Sequence, residues 1–168
     1  MNSKKTVFHS MKMIFSAFFI FTLLNTYAQD SIKIKKIDAL VAAINNSGFS
    51  IQRDTIKQES PEIGIKMITY LTMLSNGSEL LKYINDVDIT MTQEGFKKHM
   101  GGANTFYFEH NKLIKVEEYM IEADQKKEAI WYFSEDKPLY YTLQSLEADA
   151  RAFLLLSMAK TMVSQFNK

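Results

Sequence analysis

From Asp30 the apolar residues Ile34, Ile37, Val41 and Ile44 recur at i, i+3, i+7 and i+10, with Leu40 widening the stripe. That spacing predicts one buried helical face. Asp30 or Ser31 can cap the helix, and Gly48 offers a left-handed residue to end it. At Phe49 the period changes. Phe49–Lys57 reads as a strand closed by Glu59-Ser60-Pro61-Glu62. Ile63, Ile65, Met67, Leu71 and Met73 then share one side of a second strand. Asn76-Gly77 offers two positive-φ residues for a tight hairpin turn. Leu81, Tyr83, Val87, Ile89 and Met91 continue with period two, although Leu80, Leu81, Ile84 and Val87 also fit one short helix. Thr92–Met100 reads as a short helix capped by Thr92 and stopped by Gly101-Gly102.

Beyond it the chain repeats itself. Phe106-Tyr107-Phe108-Glu109-His110-Asn111-Lys112-Leu113 returns twenty-five residues later as Trp131-Tyr132-Phe133-Ser134-Glu135-Asp136-Lys137-Pro138. Each copy is an aromatic strand, a polar turn and a lysine opening the return strand. Two tandem hairpins joined around Asp124-Gln125-Lys126-Lys127 therefore make a four-stranded meander. A last helix spans about Leu146 to Phe166, with Ala150, Phe153, Leu156, Ala159, Met162, Val163 and Phe166 on its apolar face. Strands in runs, flanked by helices and without βαβ alternation, predict an α+β fold. Its expected core is an antiparallel sheet of about six or seven strands, with N- and C-terminal helices packed on it.

The N-terminus follows a different rule. Lys4, Lys5 and Lys12 precede Met13–Leu24, an uncharged run of twelve residues, whereas a helix crossing a bilayer needs about 20. Asn25-Thr26-Tyr27-Ala28 then places small residues before a cut after Ala28. A basic head, a short apolar core and a small-x-Ala exit describe a secretory signal peptide. The expected organisation is a leader, 1–28, and one α+β domain, 29–168, secreted or periplasmic and without a stable membrane span once cleaved. The Ala28-Gln29 junction and the lysine-, isoleucine- and asparagine-rich style resemble those of envelope proteins of the Bacteroidota.

Composition changes the picture in two places. The 168 residues contain no cysteine, so disulfides, thiol nucleophiles, thiolate metal sites and lipidation at a leader cysteine are excluded. The formal charge of +1 becomes −2 without the leader, which removes three Lys and no Asp or Glu. Neither value suggests nucleic acid as a partner.

Chemistry is sparse. No HExxH, P-loop, GxGxxG–helix or GxSxG pattern is present, and no metal site or cofactor is expected. Asp86 and Asp88, at i and i+2, would point to one side of a strand and could form an acidic site with His99, the basis of an alternative reading as a small envelope hydrolase. The aromatics are more informative. With His110-Asn111 and Glu135-Asp136 as two-residue turns, Phe106, Phe108, Trp131, Phe133 and Tyr140 share one face. Tyr107, Ile114, Val116, Ile130, Tyr132, Leu139 and Tyr141 share the other. Both faces are apolar, unlike a one-sided antiparallel sheet. This pattern points to a non-enzymatic domain that binds an envelope protein or a small apolar or glycan ligand through Tyr107, Tyr132, Tyr141 and Trp131. A structural assembly component is the third reading.

Overall fold

The chain divides into two compact units, Met1–Ala39 and Leu40–Lys168. The computed structural model describes residues 30–93, 96–122, 125–143, 145 and 147–168. The expected leader, 1–28, lies outside the described residues. Helix α1 spans residues 30–45, of which 40–45 belong to the second unit. Among them Val41 and Ile44 are buried, as the helical spacing requires. Gly48 does not take a left-handed φ. The helix ends instead on Ser47, whose hydroxyl donates to the Ile44 carbonyl at 2.7 Å.

In the second unit, seven strands follow one another in sequence and in space: β1 (Ser50–Ser60), β2 (Ile65–Ser75), β3 (Leu80–Gln93), β4 (Phe96–Glu109), β5 (Lys112–Glu122), β6 (Gln125–Ser134) and β7 (Lys137–Tyr141). Every neighbouring pair is antiparallel. With the helices, among them α2 (Ala148–Phe166), this is an α+β fold built on an open antiparallel meander. No helix among the described residues is long and apolar enough to cross a membrane.

The helix expected over Thr92–Met100 is not formed. β3 runs to Gln93 and β4 starts at Phe96, so these residues extend one long hairpin, with Thr90 opposite His99. Gly101-Gly102 therefore lies inside β4 instead of stopping a helix. The segment 80–87 is strand throughout. Pairing across the β3–β4 hairpin, from Gln93↔Phe96 to Ile89↔Met100, outweighs the local capping signal.

The turns separate two kinds of sequence. His110, Asn111, Glu135 and Asp136 all have φ between 52° and 60°, the signature of two-residue turns with both residues left-handed. Asn76-Gly77 differs: of the two, only Gly77 is left-handed (φ 98°). Asn76 Oδ1 accepts from the backbone N–H of Ser78 (3.1 Å) and Glu79 (2.8 Å), which sets a longer loop over 76–79.

Each of these three hairpins carries a register shift at its turn end: at Leu74/Ser75, Tyr107/Phe108 and Tyr132/Phe133. The extra residues are Leu81, Ile114 and Leu139, one on each return strand. A bulge of this kind reverses the alternation beyond it and adds local twist. That is why the expected aromatic faces are partly exchanged. Val116 and Tyr141 stand with Phe106 and Trp131, whereas Tyr140 stands beside Tyr132.

α2 covers one end of one sheet face. Ala148, Ala152, Leu155, Leu156, Ala159 and Met162 pack on Leu80, Phe106, Phe108, Leu113, Val116, Trp131 and Phe133. The three alanines keep the helix close to the large rings, and burying Leu155 alone contributes about 1.5–3 kcal/mol. The expected apolar face is rotated, since Phe153 is 64% exposed. Phe153, Leu154, Leu155 and Leu156 are consecutive and apolar, so their pattern leaves the buried side ambiguous, whereas the alanine spacing marks it.

Candidate ligand groove

The registers stack the α2 face into rows running across the strands. Nearest the bulged turns are Leu80, Phe108, Leu113 and Phe133. Next come Met73, Tyr83, Phe106, Val116, Trp131 and Tyr141, and these two rows form the covered core. The third row is polar on four of its six strands: Asp54, Asn85, Asn104 and Glu118, broken by Leu71 and closed by Ala129. The fourth, Ile56, Thr69, Val87, Gly102, Met120 and Lys127, is mostly apolar again. The fifth carries Met67, Ile89 and Met100 side by side on β2, β3 and β4.

Glu118 anchors the polar row. Trp131 Nε1 donates to its Oε2 at 2.7 Å, and the Arg151 guanidinium reaches down from α2 to both carboxylate oxygens. The carboxylate is 13% exposed. This charge-assisted cluster fixes the end of α2 to the sheet and closes the covered core. In the same row Asn85 Oδ1 is buried without a hydrogen-bond partner among the described residues.

Beyond that row lies a groove of ≈ 420 Å³, within the size range of small-molecule sites. Its floor is Val87, Ile89, Met100, Gly102 and Met120, and its walls include Asn104, Glu118, Arg151, Leu143, Ala129 and Lys127. Gly102 gives the groove its depth. A Cβ there would lie 2.6 Å from the Tyr119 carbonyl oxygen, so the backbone approach leaves room for hydrogen only. Val87 and Met120 rise on either side of it. Methionine floors adapt to the shape they meet, because the thioether is unbranched and polarizable.

The aromatic residues singled out from the sequence lie elsewhere. Trp131 is 1% exposed and belongs to the core under α2, tilted against Tyr141 at 5.2 Å between ring centroids. Tyr141 donates its hydroxyl to Asp149 Oδ1 at 2.8 Å, which raises its pKa. On the far face Lys82, Tyr107, Lys115, Tyr132 and Tyr140 stand side by side on five successive strands. Lys82 lies over the Tyr107 ring and Lys115 over the Tyr132 ring, each about 5 Å from the centroid. Tyr107 donates to Glu117 at 3.2 Å, and Lys115 pairs with the same carboxylate at 2.9 Å. Lys82 donates to Asn45 Oδ1 at 2.7 Å, tying the last turn of α1 to this row. Burial raises the pKa of Tyr107 and lowers that of Lys82, Glu117 partly offsetting the latter. Tyr107 and Tyr132 are both buried, so the row contributes far more to packing than to accessible surface.

Asp86 and Asp88 share the far face, as i, i+2 spacing on a strand requires, and the long β3–β4 hairpin brings His99 to Asp88. His99 Nδ1 lies 3.5 Å from Asp88 Oδ1, and Nε2 lies 3.4 Å from Thr90 Oγ1. Both members of the pair are more than half exposed. Water therefore screens the pair. Among the described residues no cluster of three or more His, Asp or Glu could hold a metal ion.

Sequence reasoning missed the groove because its floor residues come from three separate strands. The available signal was Gly101-Gly102 in the middle of an alternating segment, where a glycine marks a close backbone approach. No protein family, curated protein or solved structure matches the chain.

Proposed function

We propose that the protein is an exported, non-enzymatic binding domain whose groove on the α2 face takes a small apolar ligand. The observation that carries this reading is the apolar floor beyond the Glu118 row, open to solvent and walled by residues of β4, β5, β6 and α2, with Leu143. Met120 is 45% exposed there, and apolar surface in a concave setting is the ordinary mark of a ligand site. The exposed Asp88–His99 pair favours binding over hydrolysis. Export rests on the leader, with Gln29 as the first residue of the mature chain.

The test is a titration with Nile red, a neutral apolar dye, followed by its emission. Saturable binding is expected, weakened about tenfold by Ile89→Gln, which sets an amide on the floor; tenfold corresponds to about 1.4 kcal/mol. Unsaturable binding, or equal affinity in the variant, refutes the groove as the site. N-terminal sequencing of the exported protein tests the leader, and a first residue within 1–20 would overturn that part.

A further inference from the structure

We propose that the occupant is a single-chain amphiphile with an anionic head, a free fatty carboxylate, lying across the strands with its head at Lys127. This rests on reading the groove as a ligand site. The floor crosses from Val87 and Ile89 on β3, over Gly102 on β4 and Met120 on β5, to Lys127 on β6. Three strand spacings make that path about 14 Å long, which suits one extended alkyl chain.

The two ends of the path differ in charge. Arg151 is neutralised by Glu118, so the wall toward α2 offers an anion nothing. Lys126, one residue before Lys127, points to the opposite face and pairs with Glu128, a second charged residue bordering this end of the groove, so that carboxylate is neutralised within its own face. Lys127 stands directly across from Met120, lines the groove and has no ion-pair partner among the described residues. The sheet leaves this end open. β7 pairs only with the Trp131–Ser134 end of β6, and the outer hydrogen bonds of Ile130 are taken by Thr142. A head group at Lys127 is therefore in water beside an ammonium, while the tail leaves water over the floor. A carboxylate fits that ammonium through charge-assisted hydrogen bonds, and a neutral head does not. The groove volume lies toward the small end of ligand sites, which suits one chain and not the two of a membrane lipid.

The experiment titrates the full chain with dodecanoate and with dodecanol, which share a tail and differ in the head, and follows the emission of Trp131. That residue is the only tryptophan in the sequence, and its indole N–H is bonded to Glu118 of the groove wall. Dodecanoate is expected to bind at least tenfold more tightly than dodecanol. Lys127→Gln should bring dodecanoate down to the level of dodecanol and leave dodecanol unchanged, whereas Lys126→Gln should change neither. Lys127 is exposed, so the variant keeps the fold. Equal binding of both ligands, unaltered by Lys127→Gln, overturns the assignment of the head while leaving the groove as a site. Binding of neither overturns both. Co-sedimentation with phosphatidylglycerol vesicles in preference to dodecanoate binding overturns the choice of a free single chain.

Discussion

Replacing Glu118 by Ala removes the shared acceptor of Trp131 and Arg151, and the consequences of losing each can be separated. The indole N–H of Trp131 is the more serious loss. Its residue is 1% exposed, so water cannot replace the carboxylate, and an orphaned buried donor costs about 1–3 kcal/mol. Arg151 is 36% exposed and rehydrates, so its share resembles that of a surface pair, about 0–1 kcal/mol. Glu118→Ala should therefore destabilise the fold by about 2–3 kcal/mol. Glu118→Gln retains an oxygen for the indole and should cost about 1 kcal/mol or less. Arg151→Met should cost about as much as Glu118→Gln. Urea unfolding, followed in parallel by Trp131 emission and far-UV circular dichroism, provides the measurement, with free energies from linear extrapolation. The dichroism is needed because Trp131 senses the substitution directly. A cost below about 0.5 kcal/mol for Glu118→Ala, or equal costs for the Ala and Gln variants, would refute the assignment of the main loss to the buried indole.

Three further outcomes are expected. Gly102→Ala should destabilise by about 1–3 kcal/mol, because its Cβ would meet the Tyr119 carbonyl oxygen at 2.6 Å; Gly101→Ala, whose nearest atom is Val87 O at 3.4 Å, should stay within about 0.5 kcal/mol, and chemical denaturation should reveal that order. Asp136→Gly should stabilise by at most about 1 kcal/mol, the roughly 1–2 kcal/mol strain of a left-handed residue (φ 60°) being partly offset by glycine's greater unfolded-chain entropy, whereas Asn111→Gly should gain nothing in thermal melts, since Asn111 Oδ1 accepts from the N–H of buried Leu80 at 3.1 Å. The hydrogen bond to Glu79 raises the pKa of His110 in the folded protein. This contribution is therefore full below the unfolded histidine value of about 6.5 and fades as pH rises through the folded value. The stability difference between wild type and His110→Gln should shrink from pH 5.5 to 8.5 (roughly one unit below and two above that value); a difference that grew with pH would sink the sign.

Much of the fold was legible in the residues themselves. The repeat at twenty-five residues marked both two-residue turns, and period two found β2 and most of β3. What the pattern hid has physical causes. A bulge adds one apolar residue, here Ile114 or Leu139, without disturbing the look of an apolar strand, yet it exchanges Val116, Tyr140 and Tyr141 between faces. Capping signals at Thr92 and Gly101-Gly102 suggested a helix, because the local pattern does not display the hairpin pairing that holds Thr92–Met100 extended. The site was less legible still. An aromatic pair such as Tyr107 and Tyr132 serves a core as well as a surface, and burial decides between them. The groove depends on which residues share a row, and its lining draws on strands as far apart as those of Val87 and Lys127.

The polar row through Asn85, Asn104 and Glu118 has a consequence for how such a protein can change over generations. It separates the side chains packed beneath α2 from those of the groove floor, so a substitution at Ile89, Met100 or Met120 leaves the packing beneath α2 undisturbed. Variation can accumulate on one side of that boundary while the other stays constant. A lineage could reshape the groove without relearning how to fold.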